Sequence, residues 1–167
     1  NRLLPNSDRY EVELTEQERA TRDIEQILGR TNPEITFNSN ENLIGEAYLE
    51  SIGLEKGDKF TCLLVRDATY KEFLSSSKDW AYHSYRDSDV NTFSEAASWL
   101  GDNGYWVIRM GKAVQDEFRV QHPRIVDYSS SKHRSDFLDI WLMANCYFCI
   151  STGAGLDEVA GMMGKPG

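Results

Sequence analysis

The chain has 167 residues, 40% of them hydrophobic, enough for one domain with a real core and unlike the composition of a disordered segment. Its net charge of −9 disfavours nucleic acid as a partner, because phosphate binding needs basic surface. No stretch approaches the roughly 18 consecutive apolar residues of a transmembrane segment. The acidity is concentrated in residues 1–58, which hold 13 acids against 6 bases, so the remainder is balanced enough to house a local anion site. The chain starts without Met and stops at the turn Gly164-Lys-Pro-Gly167. It therefore reads as a piece of a longer protein, in which a strand is expected to follow that turn.

Residues 1–14 are polar and irregular and read as a linker. Thr15-Glu-Gln-Glu18 is a capping-box pattern that opens a helix to about Leu28, ended by Gly29. A second helix is expected over about Glu41–Ile52, so residues 15–57 form a helical N-terminal segment. Residues 58–167 then change character. Phe60 to Arg66 is a nearly continuous apolar run of strand length. Residues 67–90 are a long polar loop, of a length that is usually functional. Thr92–Leu100 reads as a helix with Phe93, Ala96, Ala97 and Leu100 on one face. Tyr105–Met110 is a second strand, residues 112–119 a short helix, and Arg124–Asp127 a third strand. Ser135-Asp136 caps a helix through Ala144, Cys146–Ser151 is a fourth strand, and Leu156–Met163 a last helix. This alternation predicts an α/β fold with a Rossmann-like parallel sheet flanked by helices.

The three cysteines give no disulfide framework. Cys146-Tyr-Phe-Cys149 has the spacing of a redox or zinc motif. In a strand, however, residues three apart face opposite sides and cannot share a metal, so all three are expected to be core thiols.

Ligands of an open parallel sheet bind outside the carboxyl ends of its strands. The expected ends carry Arg66-Asp67, Arg109-Met-Gly111, Asp127-Tyr-Ser-Ser-Ser131 and Ser151-Thr152-Gly153. Any α/β domain has polar residues there, but two arginines with several hydroxyls suit a phosphate, which guanidinium binds bidentately. The Ser151-Thr-Gly-Ala-Gly155 turn lets backbone approach a ligand. The loop segment Tyr82-His-Ser-Tyr-Arg-Asp-Ser-Asp89 is the chemically densest stretch. Its acids suit helix capping, and His83 is a candidate general base because an unperturbed imidazole titrates near neutrality. No metal-ligand spacing appears.

Val65-Arg-Asp67, Tyr82 to Asp89, Tyr105-Trp-Val-Ile-Arg-Met-Gly111, Asp127-Tyr and Ser135-Asp-Phe-Leu-Asp139 occur in order. As a series over residues 40–167 they resemble a family of bacterial glycosyltransferases found with surface-polysaccharide genes. Gly153 to Pro166 is similar to the donor-site stretch of heptosyltransferase-like enzymes, with Ala154 in place of a serine and Glu158 in place of a histidine. Arg66 and Arg86-x-x-Asp89 resemble, more distantly, fucosyltransferases, with Leu64 where those carry a histidine.

The resemblance implies the C-terminal half of a two-Rossmann-domain (GT-B) glycosyltransferase. Such an enzyme is cytoplasmic or peripheral at the inner membrane, and needs no cofactor or bound metal. It would bind a nucleotide-diphosphate sugar and transfer the sugar to a glycan or lipid-linked glycan acceptor. Arg66, Arg86, Asp89 and Arg109 would meet the diphosphate and sugar, and Thr152, Gly153, Ala154 and Gly155 the phosphate. Ser135 and Asp136 would meet the base or ribose, and His83 or the missing N-terminal domain would supply the base catalyst. A sugar-nucleotide epimerase of the same architecture, and a non-catalytic sugar-nucleotide or glycan-binding module, are the competing readings.

Overall fold

In the computed structural model, residues 35–66 and 87–167, with Thr69, are described. The expected linker 1–14, the helix from Thr15, His83, Arg86 and most of the 67–90 loop lie outside them. Helix α1 spans Ser39–Ser51, strand β1 Lys59–Leu64, helix α2 Ser94–Asp102 and strand β2 Tyr105–Arg109. Strand β3 spans Ile125–Asp127, helix α3 Asp136–Asn145, strand β4 Phe148–Ser151 and helix α4 Asp157–Met162. Short 3-10 turns lead into α2 at Val90–Phe93 and out of β3 at Tyr128–Ser130.

Helices α1 and α3 each begin where a side chain can take an orphan amide. Asn38 accepts from Glu41 N at 3.0 Å while Glu41 accepts from Asn38 N at 2.7 Å, a reciprocal capping box. Ser135 accepts from Leu138 N at 3.1 Å at the start of α3. Each such cap is worth about 1 kcal/mol. Asp89 caps the 3-10 turn instead, its carboxylate accepting from Asn91 N at 2.8 Å. Gly104 closes the α2–β2 turn at φ 88°, a conformation that disfavours any residue with a Cβ.

The strands form an all-parallel sheet in the order β3-β2-β1-β4. Strand alternation divides its residues between two apolar layers. Phe60, Cys62 and Leu64 of β1, with Trp106 and Ile108 of β2, face α1, α3 and α4. Leu63 of β1 and Val107 of β2 face α2, with Val90 and Phe118. Both faces of the sheet are covered, which is why its strands read as unbroken apolar runs. Helix α1 belongs to the same compact unit as the sheet, which runs from Pro33 to Gly167. Its Gly45 lies directly against the Trp141 ring of α3, and Trp141 Nε1 donates to Asn42 Oδ1 at 3.1 Å. The unit thus begins before residue 58, the boundary suggested by composition. After α4 the chain returns to the outer edge of β4, where Cys149 N donates to Pro166 O at 2.8 Å.

Two expectations are corrected. Residues 112–119 form no helix. Their backbone groups bond to side chains of other elements: Phe118 N donates to Asp127 Oδ2, Arg119 N to Asn91 Oδ1, and Glu117 O accepts from Asn91 Nδ2. These bonds and the burial of Phe118 outcompete the local i−4 ladder. Cys146 and Cys149, moreover, do not face opposite sides of one strand. Cys146 is the extended residue that ends α3, and β4 begins only at Phe148, so strand alternation does not govern it. Both pack in one layer with Cys62, and all three thiols are free and buried.

Candidate functional site

The chain leaves β1 toward β2 on one side and reaches β4 on the other, so the strand order reverses between β1 and β4. At such a switch point the loops splay apart and open a crevice at the carboxyl ends of the strands. Here those ends are Arg66 and Thr152, and they are tied together. Thr152 N donates to Leu64 O at 3.2 Å, and Arg66 N donates to the Thr152 hydroxyl at 2.8 Å. Ser88 N donates to Arg66 O at 2.9 Å, which fixes the returning chain on the other flank.

The Arg66 side chain is 10% exposed. Its Nε lies 3.4 Å from Asp87 Oδ1, while its buried Nη2 has no hydrogen-bond partner among the described residues. A buried, unpaired polar donor costs about 1–3 kcal/mol, and more when it is charged. Such a group is the kind a bound anion would satisfy.

The glycine turn after β4 is closed largely on itself. Gly153 has φ 84°, which a side chain would strain, and its amide donates to Ser151 Oγ at 3.0 Å. Ser151 Oγ in turn donates to Asp157 Oδ2 at 2.8 Å, and Asp157 N donates to Ala154 O at 3.1 Å. Of the amides expected to meet phosphate, that of Thr152 is bonded to β1 and that of Gly153 to the turn itself. Ala154 packs against the core and Gly155 has open space around its Cα.

Arg109 departs further from expectation. It is 2% exposed, and its Nη1 donates to Asp127 Oδ2 at 2.8 Å. Asp127 also accepts from Phe118 N at 3.1 Å and from Ser129 Oγ at 2.5 Å. The guanidinium is committed to an internal ion pair, and the void beside it, between Val65, Ser88 and Asp116, is about 10 Å³. Arg66 and Arg109 do not converge on a shared open rim.

Ser135 and Asp136 lie at the start of α3, in a polar cluster whose two cations, Lys112 and Arg134, the sequence did not single out. Lys112 Nζ donates to both Asp136 oxygens, at 2.9 and 3.0 Å, and Arg134 Nη2 to Oδ1 at 3.0 Å. These hydrogen bonds, the one from Lys112 first, hold the Asp136 carboxyl below the usual range. Arg134 also pairs with Asp139 and donates from Nε to Gly111 O at 3.1 Å. Burial pushes the Asp139 carboxyl up, against the pull of that guanidinium. The Tyr128 hydroxyl bonds both backbone groups of Ser135, and burial raises its pKa. Arg134 sits immediately before the cap Ser135, which was the one available signal that it would reach the helix's first-turn acids.

A groove of about 600 Å³ lies at the opposite end of the sheet, where Asp58, Lys59, Cys146 and Lys165 line it. Among the described residues no group of three or more His, Cys, Asp or Glu side chains is placed to hold a metal ion, and no helix is long and apolar enough to cross a membrane. No family model, curated protein or solved structure matches the chain.

Proposed function

We propose that this domain binds the diphosphate of a nucleotide sugar at the β1–β4 switch point, as the donor-binding half of a glycosyltransferase that works without a bound metal. The observation that carries the reading is Arg66, a buried guanidinium with an unpaired Nη2 at the carboxyl end of β1. The ordered motif series of the sequence narrows that anion to a nucleotide sugar. In this reading Arg66 donates charge-assisted hydrogen bonds to the diphosphate. It stabilises the negative charge that grows there as the sugar leaves for an acceptor hydroxyl on a surface glycan. Thr152 positions the arginine by accepting from its amide. The base catalyst comes from His83 or from a preceding domain of the same protein.

The test is calorimetry with UDP, GDP, CMP and dTDP, with and without EDTA. One nucleoside diphosphate is expected to bind in EDTA. Arg66→Ala is expected to weaken it about 10- to 100-fold, the equivalent of one charge-assisted hydrogen bond. Binding that needs a divalent ion, or that ignores Arg66, contradicts the proposal. The commitment of Arg109 and of the Thr152 and Gly153 amides to internal bonds favours a second reading, a module that binds sugar nucleotide or glycan without transferring it. Release of free nucleoside diphosphate with a glycosylated acceptor separates the two.

A further inference from the structure

The groove at the amino ends of β1 and β4 shares no residue with the switch point, and its size, about 600 Å³, is that of a small-molecule site. Tyr147, just before β4, stands 50% exposed on its wall. The ring is braced from behind by Tyr105 and Phe148, whose centroids lie 5.8 and 6.3 Å away. Lys59, the first residue of β1, holds its Nζ 4.2 Å from the centre of the Tyr147 ring. That cation–π contact places an ammonium group beside a flat apolar surface without neutralising its charge. Lys165, just after α4, lines the same groove. Among the described residues neither lysine has an ion-pair partner. Asp58 lines it too, and its internal bonds from Glu55 N and Trp106 Nε1 both end on Oδ2, at 3.0 Å. Those bonds hold the carboxyl below the usual range, so it stays an acceptor-only carboxylate with Oδ1 to spare.

These features select a ligand jointly. Two ammonium groups without counter-charges favour an anionic group. The half-exposed ring takes an apolar face. The Asp58 carboxylate repels a ligand that is charged all round, such as a polyphosphate, and accepts from hydroxyl groups. We propose that this groove binds acidic saccharide, sugar rings that carry a carboxylate, as a second site at the opposite end of the sheet from Arg66. The C–H face of the sugar lies against Tyr147, its hydroxyls donate to Asp58 Oδ1, and its carboxylate receives hydrogen bonds from Lys59 and Lys165. The site holds a glycan and performs no chemistry on it. It is independent of nucleotide binding at Arg66 and stands or falls separately.

The test is calorimetry on the whole chain with three acidic probes: oligogalacturonate, a hyaluronan fragment and an oligomer of N-acetylneuraminic acid. Methyl-esterified oligogalacturonate and polyglutamate serve as the uncharged sugar and the acidic peptide. At least one acidic saccharide is expected to bind saturably and to shift the backbone amide signals of Tyr147 and Lys165. The methyl ester and polyglutamate are expected to bind about tenfold more weakly or not at all, the loss of one charge-assisted hydrogen bond or of the stacking face. Lys165→Gln and Tyr147→Ala are expected to weaken the saccharide by about the same factor with an unchanged circular dichroism spectrum, and Tyr147→Phe to retain it. Arg66→Ala is expected to bind saccharide like the wild type whatever it does to nucleotide. The proposal is overturned if none of the acidic saccharides binds, or if the ester or polyglutamate binds as well as they do. It is equally overturned if the amide shifts fall elsewhere, or if Lys165→Gln or Tyr147→Ala leaves the affinity unchanged.

Discussion

Asp127→Ala removes an acceptor that three donors share. Arg109 Nη1, Phe118 N and Ser129 Oγ all point at this carboxylate, and the arginine beneath it is 2% exposed. Truncation leaves a buried cation without its counter-charge and a backbone amide without its partner. Breaking a buried pair from one side costs about 3–5 kcal/mol, a large share of a typical domain's 5–15 kcal/mol. With a urea slope of about 1–3 kcal/mol/M, the unfolding midpoint should fall by roughly 2 M, measured by circular dichroism. Removing both charges, in Arg109→Met with Asp127→Leu, should recover most of that loss, because the cost lies in the orphaned charge and not in the absent pair. A change below about 1 kcal/mol in the single variant would refute the argument. It would mean that Arg109 reaches solvent, and it would return this arginine to the list of ligand-binding candidates.

Gly45→Ala should destabilise by about 1–3 kcal/mol through overpacking, since the new methyl meets the Trp141 ring on the α1–α3 contact; an unchanged melting temperature would show that the two helices slide apart freely. Thr152→Val keeps the shape of the side chain but deprives Arg66 N of its acceptor, so it should cost about 1–3 kcal/mol and speed exchange of the Arg66 amide, while Thr152→Ser should not. Valine and serine variants that behave alike would remove the tie between β1 and β4. Hydrogen bonds from Glu55 N and Trp106 Nε1 hold the Asp58 carboxyl below the usual range. Its folded pKa is thus lower than its unfolded one, so its stabilisation is present above about pH 4 and is lost as pH falls through the folded value. The gap in urea midpoint between wild type and Asp58→Ala should therefore narrow from pH 7 to pH 3, and a constant gap would contradict the assignment.

The sheet was legible because its signal is local. Phe60 to Leu64 and Tyr105 to Arg109 carry the apolar runs of doubly covered strands, and Ser135 and the glycines mark where a helix starts and turns close. Failures occurred where a distant group decides. The backbone of residues 112–119 satisfies itself on Asn91 and Asp127, neither of which a helical window contains. Cys146 was read as part of a strand because the boundary between α3 and β4 fell two residues later than its apolar neighbours suggested. Lys112 and Arg134 carry no motif, and only the fold brings both to Asp136.

The two arginines at the strand ends show why residue type could not rank them. Arg109 is the last residue of β2 and stands in register with Asp127 of β3, so the ladder itself delivers a carboxylate to its side chain. Arg66 lies beyond the last register pair of β1 and β4, Leu64 with Ser151, where no strand partner can be matched to it. The carboxylate of Asp87 belongs to a loop and lies against Nε, leaving Nη2 unpaired among the described residues. A charge inside a parallel ladder meets a fixed neighbour and is neutralised by structure. One that projects past the ladder at a switch point retains bonding capacity for something that comes and goes. Under the proposed function, that difference makes Arg66, and not Arg109, the residue on which nucleotide binding would depend.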